Sequence, residues 1–305
     1  MYSIEGRKGQ TRHRGGQADS YIRVAVFHTR TLRLFTSNDH KTILVPCTVF
    51  GIANAFASSL SHDTAIASHH IHPDLAWRSF LVLIWVWVNL LPLCINNQRS
   101  ALSIAEDSIN KPWRPLPSGR LPPRHAKRIM VVFYAFAHSL DALMGCGLRQ
   151  SMGLVFFSAW YSRLGGGDSH PLVRNFINAA GYICFTSGAM EVALGTPLSG
   201  DEQLAGWFGI IGGVITTTMH IQDMYDQEGD AGRGRRTMPL VIGDVPARWV
   251  IAFWMVIWGI FCLRFWDNTL MIQGIMLVIA MLVGFRTIMY RTVSSDKTTF
   301  VIWNF

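Results

Sequence analysis

The stretch RSFLVLIWVWVNLLPLCINNQRSALSIAEDSINKPWRPLPSGR, residues 78–120, changes character near its middle. Residues 78–95 form an apolar run of the length that crosses a bilayer as a helix, whereas the rest is rich in Asn, Ser, acids, Arg and Pro. An apolar run that ends in a charged loop is typical of a membrane helix whose end faces water. This stretch predicts an all-helical membrane protein with polar groups gathered at one membrane face.

The composition of the whole chain indicates the same environment. Its 305 residues are 50% hydrophobic and only 15% charged, with 27 Lys and Arg against 19 Asp and Glu and a net charge of +8. Soluble proteins carry about 25% charged residues, so this composition argues against a soluble cytosolic protein, a disordered chain or a fibre. The five cysteines lie far apart with no CxxC pair, which is not the pattern of a disulfide-rich secreted domain.

Apolar runs recur along the chain with the spacing of membrane helices. We place eight spans, at residues 42–60, 78–95, 128–143, 145–160, 176–194, 204–220, 245–263 and 270–285. With a cytosolic amino terminus, every Lys and Arg falls on the cytosolic side except Arg78, Arg149 and Arg264. This positive-inside bias favours both the even number of spans and the cytosolic amino terminus.

The segment before the first span is polar and basic. Residues 1–41 contain no apolar core of a signal peptide and predict a cytosolic, partly disordered arm in front of a membrane domain at residues 42–305. The arm lacks an RNA-binding fold and interleaved aromatics, so we expect its basic residues to contact anionic membrane lipid and no nucleic acid. Insertion through the first span is compatible with the endoplasmic reticulum or another internal membrane.

The cytosolic loop HIQDMYDQEGDAGRGRRTMPLVIGD, residues 220–244, places Asp223, Asp226 and Asp230 at i, i+3 and i+7. On a regular helix, carboxylates at this spacing lie on one face within about 60°. Their repulsion favours a neutralising cation, and such oxygen ligands favour Mg²⁺, which bridges carboxylates to a substrate phosphate. The alternative is a solvated helix end whose acids pair with the arginines that follow, Arg233, Arg235 and Arg236.

The cytosolic loop at residues 96–120 has the same order of acids before cations. Helical spacing predicts one polar stripe of Asn96, Ser100, Ser103 and Asp107, with Glu106 beside it. The prolines that follow end the helix and stiffen a loop that displays three cations able to neutralise diphosphate oxygens, Lys111, Arg114 and Arg120. The alternative is a basic loop held at the lipid headgroups.

Together the two loops resemble the paired motifs of the UbiA superfamily of intramembrane prenyltransferases. NKPWRPLPSGR, residues 110–120, is similar to the family's N-[KR]-P-x-R-P-x-x-S-G loop, and DMYDQEGD, residues 223–230, is similar to its DxxDxxxD element. The family's NxxxDxxxD element is degenerate here, because Asp107 matches its last aspartate while Ser103 and Arg99 take the other two positions. Asn96 or Glu106 is the expected substitute. The family has nine helices and this chain ends at TTFVIWNF, so we expect a truncated ninth helix.

The resemblance implies a helical bundle around a central cavity that binds an isoprenyl diphosphate and Mg²⁺. It implies that the metal ligands and catalytic residues are Asp107, Asp223, Asp226 and Asp230. It implies diphosphate contacts from Asn96, Lys111, Arg114, Arg120, Arg235 and Arg236. These groups would stabilise the diphosphate leaving group as its C–O bond ionises.

The implied activity is transfer of an isoprenyl group to a small-molecule acceptor, aromatic or polyketide-like, in terpenoid or secondary-metabolite biosynthesis. A terpene cyclase of the same superfamily, acting on farnesyl or geranylgeranyl diphosphate, is the alternative, because Gln222 stands before DxxD where many transferases have Lys. A membrane transporter or scaffold without catalysis is the third possibility, supported by the degenerate element and the shortened ninth helix.

Ionisable residues within the predicted spans have two interpretations. Asp141 and Glu191 either bond to neighbouring helices or line the cavity as an acceptor-binding or proton-accepting group. The run of His69, His70 and His72 is expected to be a polar loop rather than a metal site. The glycines of the sixth span predict close helix packing, at Gly206, Gly209, Gly212 and Gly213.

Overall fold

The computed structural model describes residues 10–60, 75–266 and 270–304, and every regular element in these ranges is a helix. The helices are α1 (Gln10–Thr36), α2 (Val45–Leu60), α3 (Leu75–Gln98), α4 (Ala101–Asn110), α5 (Pro123–Met144), α6 (Leu148–Ser162), α7 (Gly166–Ser169), α8 (Pro171–Leu194), α9 (Glu202–Thr218), α10 (Gln227–Arg233), α11 (Met238–Ile242), α12 (Asp244–Trp266), α13 (Leu270–Met289) and α14 (Val293–Trp303). A π-helical turn, His40–Leu44, precedes α2, and a 3₁₀ turn, Met219–Ile221, follows α9. The predicted all-helical fold is confirmed.

Each predicted span coincides with a helix, in the order α2, α3, α5, α6, α8, α9, α12 and α13. Within the described residues, four segments are long and apolar enough to cross a membrane, His40–Ser58, Ala76–Gln98, Glu202–Ile221 and Asp244–Trp266. Gly274–Met289 is a shorter apolar helix. The number of helices that cross the membrane stays a prediction.

The outer face of α12 shows the environment that surrounds the bundle. Trp249, Phe253, Val256 and Ile260 recur at helical spacing and are exposed, with 59% of Phe253 accessible. A continuous apolar stripe of this size is unfavourable in water and suits contact with lipid tails.

Helix α3 lies at the centre of the bundle and packs against α2, α5, α6 and α8. Its Trp85 is fully buried and donates a hydrogen bond from Nε1 to Asp141 Oδ1 at 2.6 Å. A Cβ at Gly188 of α8 would overlap the Trp85 ring, so this glycine is what lets α8 approach α3. Replacing a tryptophan buried in this way by alanine typically costs about 3–5 kcal/mol.

Two glycines in left-handed conformations separate the third and fourth predicted spans. Gly145 has φ 69° and caps α5, and Gly147 has φ 83° immediately before α6. A Cβ at Gly147 would meet the Trp85 indole nitrogen and the Asp141 carboxylate, so a larger residue fits neither the backbone conformation nor the space. Arg149 therefore lies in the first turn of α6, near the start of the fourth predicted span.

The arm differs from the expectation of partial disorder, because the structure shows a helix from Gln10 to Thr36. The carboxyl-terminal end of α1 is anchored: Phe35 is fully buried and belongs to the same hydrophobic cluster as Leu116 and Leu121. This burial stabilises a helix in the segment. The sequence did not predict the helix, because the composition of the segment is polar and basic overall. The predicted histidine-rich loop at residues 69–72 lies outside the described residues.

The ninth apolar run begins with α14, which is fixed to α12 by a buried arginine. Arg248 donates hydrogen bonds to both carboxylate oxygens of Asp296, at 2.7 and 2.8 Å, and to Asp244 at 2.8 Å. This bidentate pairing holds α14 so that Phe300 and Trp303 reach the interior of the bundle. The beginning of a ninth helix is therefore part of the fold.

Candidate active site

A cavity of about 480 Å³ lies between the helices, with polar groups at one end and apolar groups at the other. In α3 the lining residues run from Leu90 to Gln98, and in α8 they run from Arg174 to Phe185. In each helix the polar lining residue, Gln98 of α3 or Arg174 of α8, lies at the end of the bundle that carries the two polar loops. Further apolar lining comes from α2, α6 and α9, through Phe50, Leu154, Phe157, Trp207, Ile210, Ile211, Val214 and Ile215.

The two polar loops meet at the charged end of this cavity. Lys111 Nζ donates to Asp226 Oδ2 at 3.0 Å, and both residues line the cavity. A Cβ on Gly229 of α10 would overlap the Asn110 side chain at the end of α4, so the two helices approach closely there. The structure therefore brings together the elements that the sequence placed on one membrane face.

The three aspartates of the second loop do not lie on one face of a regular helix. After the 3₁₀ turn the chain makes a further turn, and α10 begins only after Asp226, so the predicted arrangement is wrong in this respect. Asp223 accepts from Arg174 at 2.7 Å, and Asp230 accepts from Arg235 at 2.9 Å. The break lets each carboxylate face its own cation, which relieves the repulsion that one shared face would create.

The predicted stripe of the first loop is also interrupted. Helix α3 ends at Gln98, and Ser100 caps the separate helix α4 by accepting from the Ser103 backbone N–H. Asn96 donates to the Ser158 backbone oxygen and hydroxyl, at 3.2 and 2.9 Å, and it is not among the cavity-lining residues. Asn96 therefore joins α3 to α6 instead of facing a diphosphate, because its amide is committed to another helix.

Ser103, Glu106 and Asp107 of α4 do line the cavity. Arg114 Nη1 donates to both oxygens of Asp107, at 2.8 and 2.9 Å. Glu106 accepts from Arg233 at 2.9 Å and from Arg235 at 2.8 Å. The first acidic element thus contributes two carboxylates to the cavity wall, those of Asp107 and Glu106. Glu106 is one of the two residues that were expected to substitute for the family's missing ligands.

Asp168 of α7 connects the same two arginines from a third direction. It accepts from Arg233 Nη2 at 3.0 Å and from Arg235 Nε at 3.1 Å. The glycines before it allow this approach, since a Cβ on Gly167 would lie 2.8 Å from the Tyr161 ring. The arginine pair is therefore held by three separate helices, α4, α7 and α10.

The electrostatics of the charged end depend on burial. Burial raises the pKa of Asp230 to about 6, which Arg174 opposes and Asp223 reinforces. Burial also raises the pKa of Asp107, although the Arg114 charge offsets part of this effect. Burial would also raise the pKa of Asp168, but hydrogen bonds and charges from Arg233 and Arg235 outweigh this effect and lower the pKa.

Four other predicted site residues do not line the cavity. Arg120 donates to Thr31 Oγ1 at 2.8 Å, and its guanidinium lies 4.2 Å from the centroid of the Phe27 ring, so it binds α1. Arg236 is exposed, one position after the buried Arg235. Asp223 and Asp230 lie behind the wall, where they hold the cavity-lining Arg174 and Arg235. Both aspartates would need local rearrangement to reach a ligand in the cavity.

Arg174, Asp168 and Tyr161 were not predicted from the sequence as functional groups of this site, and Arg233 was considered only as a partner of the acids. Arg174 and Tyr161 line the cavity and are in hydrogen-bond contact with each other. The signal for Arg174 was a cation at the start of an apolar span, and the signal for Asp168 was an acid in the glycine-rich loop just before it. Both occur on the predicted cytosolic side, where Arg174 was counted only as evidence for the topology and Asp168 was given no role.

The acids inside the spans make interhelical contacts rather than lining the cavity. Asp141 accepts from Trp85, and Glu191 accepts from Arg149 at 2.5 Å and from the Gly147 backbone N–H at 2.9 Å. Three of the four glycines of α9 pack closely as predicted, for example Gly213 against the Trp258 ring, whereas Gly209 has no close neighbour at its Cβ position among the described residues. These contacts favour the structural interpretation of both acids.

The charged end has donors that suit Mg²⁺, but they are bonded to cations of the protein. Within the described residues, no three acidic, His or Cys side chains are grouped closely enough to hold a metal ion. Asp107 and Asp226 nevertheless offer hard carboxylate oxygens in the cavity wall, and the buried Asp230 Oδ2 has no hydrogen-bond partner. The donor chemistry therefore fits Mg²⁺ once the cations have another anion to bind.

Comparisons with known proteins agree with this geometry. The sequence model of the UbiA prenyltransferase family matches residues 56–305. The chain is 30% identical over 244 residues to the fumagillin β-trans-bergamotene synthase of Aspergillus fumigatus, which covers 78% of this chain and 75% of that one. It is 26% identical over 228 residues to the polyprenyl transferase of Hericium erinaceus, covering 72% and 70% of the two chains.

The fold is also similar to that of a UbiA homologue from Archaeoglobus fulgidus solved with GPP and Mg²⁺, with a TM-score of 0.66 and 14% identity over 89% of this chain and 94% of that one. Fold and site define an all-helical integral membrane protein whose charged site opens into an apolar cavity. Because the family model covers most of its length, the chain belongs to the UbiA prenyltransferase family. It is thus an enzyme of a family of transferases of prenyl groups, and the predicted resemblance is confirmed.

Proposed function

We propose that this chain transfers an isoprenyl group from an isoprenyl diphosphate to a small-molecule acceptor in a Mg²⁺-dependent reaction. The observation that carries the proposal is the single cavity that combines an ion-paired end with a long apolar wall. Such a cavity matches the two halves of an isoprenyl diphosphate, one anionic and one hydrocarbon. Its volume is in the range of small-molecule sites.

The diphosphate would bind the cavity-lining cations Lys111, Arg114, Arg174, Arg233 and Arg235. Each of these cations already bonds to a carboxylate, so a diphosphate would replace one anion by another, and Mg²⁺ would neutralise carboxylates that the cations release. Arginine binds phosphate oxygens in the same bidentate manner as it binds carboxylates. Arg120, Arg236 and Asn96 are not expected to contact it.

Asp107 and Asp226 would hold Mg²⁺ at the cavity wall, with Asp223 and Asp230 reaching it after rearrangement. The metal would supply positive charge to the diphosphate oxygens and so favour departure of the leaving group. The protein's own cations act on the same oxygens, and they also fix the orientation of the diphosphate. The relative solved with GPP and Mg²⁺ supports this use of a divalent metal.

The hydrocarbon would lie along the apolar wall, where water is excluded from the allylic carbon. Aromatic faces line this part, including Phe157, Tyr182, Phe185 and Trp207. A carbocation would be stabilised by these aromatic faces, and the apolar wall would limit its capture by water. The identity of the acceptor is constrained only to a molecule that fits beside the isoprenyl chain.

The test of the proposal is product formation by membranes that contain the chain. Farnesyl and geranylgeranyl diphosphate are supplied with Mg²⁺, with and without 4-hydroxybenzoic acid as a phenolic acceptor probe, and extracts are analysed by mass spectrometry. A prenylated phenol supports transfer to an aromatic acceptor. Intact diphosphate under every condition, with correctly inserted protein, contradicts a prenyl-diphosphate-consuming enzyme.

A second candidate is a terpene cyclase, in which double bonds of the substrate trap the cation. The observation that favours it is the position of Gln222 in the cavity wall, together with the name of the bergamotene synthase as a relative. The acceptor-free sample separates the two functions. A cyclic hydrocarbon there supports a cyclase, whereas acceptor-dependent product supports a transferase.

We further propose that the charged end faces the cytosol in the endoplasmic reticulum or another internal membrane. Residues 1–41 would be a cytosolic arm and residues 42–305 the membrane domain. Support comes from the distribution of Lys and Arg and from the concentration of cations at the end of the cavity that carries both polar loops. To test this orientation, Arg236→Cys and Asp201→Cys are treated with an impermeant thiol reagent in sealed microsomes, and the reaction of each introduced thiol is measured.

A further inference from the structure

Asp39 lies in the cavity wall outside both aspartate-rich elements. It stands between α1 and the π-helical turn that precedes α2, and this turn also places Thr42 and Ile43 at the cavity. Its backbone begins the turn, but its carboxylate makes no capping hydrogen bond to it. The carboxylate is therefore available to a ligand in the cavity. Single π-helical turns are frequent at functional sites.

Asp39 differs from the other cavity-lining acids in its partners. Four acids line the cavity, and three of them, Glu106, Asp107 and Asp226, bond to Lys or Arg. Among the described residues, no Lys or Arg forms an ion pair with Asp39. The Asp39 carboxylate makes one hydrogen bond within the described part of the chain, in which Oδ2 accepts from the Cys94 thiol at 3.4 Å. A thiol is a weak donor, so this contact is weak.

The position of Asp39 along the cavity is fixed by this neighbour. Cys94 precedes the polar Gln98 by one turn of α3 and follows the apolar Leu90 by one turn. Asp39 thus lies at the boundary between the charged end and the apolar wall. In the proposed binding mode the reacting carbon, which joins the diphosphate to the hydrocarbon, occupies the same boundary.

We propose that Asp39 is the base that removes the proton from the prenylated acceptor, a catalytic role that rests on the proposed function. The C–O bond of the isoprenyl diphosphate breaks and its electron pair leaves with the diphosphate. The acceptor then donates an electron pair to the allylic carbon, which forms the new bond and a cationic adduct. The Asp39 carboxylate takes the proton of this adduct, and the electrons of the broken bond restore a neutral product.

A free carboxylate suits this step better than the ion-paired acids. Each of the other three cavity-lining acids would have to break an ion pair with Lys or Arg before taking a proton, whereas Asp39 has no such pair to break among the described residues. The charged and titratable groups around Asp39 are Cys94, His40, Arg114 and Tyr225. Arg114 bonds to both oxygens of Asp107 in the ligand-free protein and would bond to the diphosphate in the proposed complex, so Asp39 keeps no ion pair with it in either state. The proton can afterwards pass to water at the charged end.

Asp39→Asn tests the proposal, because it keeps the shape of the side chain and removes its basicity. Full-length wild type, Asp39→Asn, Asp39→Glu and the control Asp201→Asn are assayed in microsomes with farnesyl diphosphate and Mg²⁺, with and without 4-hydroxybenzoic acid. Asp201 is a matched control, since it caps α9 and is exposed away from the cavity. Diphosphate release, prenyl alcohol and the final product are measured separately.

We expect Asp39→Asn to lower kcat for the final product by about 100-fold while the KM for farnesyl diphosphate changes less than about twofold. The ratio of final product to prenyl alcohol should fall at least about tenfold, because an adduct that keeps its proton reverts to the acceptor and the allylic cation, which water from the charged end can then capture. Asp39→Glu should recover part of the ratio, and Asp201→Asn should match wild type. A purely structural role of Asp39 would lower both products together and leave the ratio unchanged.

An unchanged product ratio and rate in Asp39→Asn would overturn the proposal while leaving the proposed function intact. A wild-type protein that consumes no diphosphate in either reaction mode would overturn both. A correct fold of the variant is checked by protection from thermal unfolding with Mg²⁺ and inorganic pyrophosphate, which should equal that of wild type. Lost protection would assign Asp39 to pyrophosphate binding and so contradict a role as base alone.

Discussion

Lys111 Nζ donates to Asp226 Oδ2 at 3.0 Å and so joins two loops that lie 115 positions apart in the sequence. The two side chains are 16% and 12% exposed, so the pair is largely shielded from water. A diphosphate offers Lys111 another anion and a divalent cation offers Asp226 another partner. The pair can therefore exchange partners on ligand binding without leaving a shielded charge alone.

Asp226→Ala should abolish Mg²⁺-dependent release of diphosphate without preventing membrane insertion. The substitution removes a carboxylate from the cavity wall and leaves Lys111 free to bind the diphosphate. Pyrophosphate binding without metal should therefore persist, whereas added Mg²⁺ should no longer strengthen it. Calorimetry with and without Mg²⁺ measures this difference, and Asp201→Ala serves as the control outside the cavity. Wild-type activity in Asp226→Ala would remove this residue from the metal site.

Asp230→Asn should stabilise the ligand-free protein at neutral pH. Burial raises the pKa of Asp230 to about 6, so the proton on this carboxyl favours the folded state. The stabilising effect of the proton is complete below the pKa of the unfolded chain, about 4, and is lost as pH rises through about 6. The ionised form therefore destabilises the fold at pH 7 by up to about 3 kcal/mol, which a neutral amide avoids.

Thermal unfolding in detergent between pH 4 and pH 8 measures this effect. The midpoint for Asp230→Asn should exceed that of wild type at pH 7 and should converge with it near pH 4. Mg²⁺ with pyrophosphate should stabilise wild type more than the variant, which keeps the cavity cations but lacks one carboxylate that could reach the metal. A variant that is less stable than wild type at pH 7 would show that the Arg235 hydrogen bond outweighs the cost of burying the charge.

The helices and the location of the charged end were predictable, because they depend on long apolar runs and on the side on which cations accumulate. Lys111, Arg114 and Asp226 were correctly expected to lie near one another, since each occurs in a loop on the same face. The residues that were misplaced depend on breaks in regular structure. One such break, between α3 and α4, separates Asn96, which bonds to Ser158 of α6, from the cavity-lining residues of α4, and helical periodicity does not reveal this break.

Contacts between distant elements were the other unpredictable part of the site. Asp168 reaches Arg233 because glycines let α7 pack closely, and this packing depends on how three helices meet. Arg120 has the residue type of a phosphate ligand, and only the folded position of α1 assigns it a different partner. Residue type at a loop therefore predicted the chemistry of the region better than the role of each side chain.

Arg120→Gln should weaken substrate binding without any direct contact between Arg120 and the diphosphate. Arg120 holds the loop that carries Lys111 and Arg114 against α1, through Thr31 Oγ1 and the Phe27 ring. Loss of this contact should loosen both cations, so we expect the KM for isoprenyl diphosphate to rise about 3–10-fold with a smaller change in kcat. Deletion of residues 1–30, which removes Phe27, should have a similar effect.

The matched control for this loop is Arg124→Gln, which removes an exposed cation at the start of α5. Its KM should stay close to that of wild type at every salt concentration. If Arg124→Gln raises KM as much as Arg120→Gln does, the effect comes from the general positive charge of the loop and not from the contact with α1.

Arg235 and Arg236 are adjacent in the sequence, but substitution by Gln should change stability and activity at Arg235 and not at Arg236. Arg235 is buried and bonds to Glu106, Asp168 and Asp230, whereas Arg236 is exposed. Removing the buried cation leaves the buried Asp230 without its ion-pair partner, whereas Glu106 and Asp168 keep Arg233, and loss of one partner of a buried pair costs about 3–5 kcal/mol in comparable cases. The thermal midpoint and diphosphate release should both fall in Arg235→Gln and should stay unchanged in Arg236→Gln. Because Asp230 can take up a proton when its cation is removed, the loss of stability in Arg235→Gln should be smaller at pH 5 than at pH 7.5. An equal loss at both pH values would mean that Glu106 or Asp168, and not Asp230, depends on Arg235.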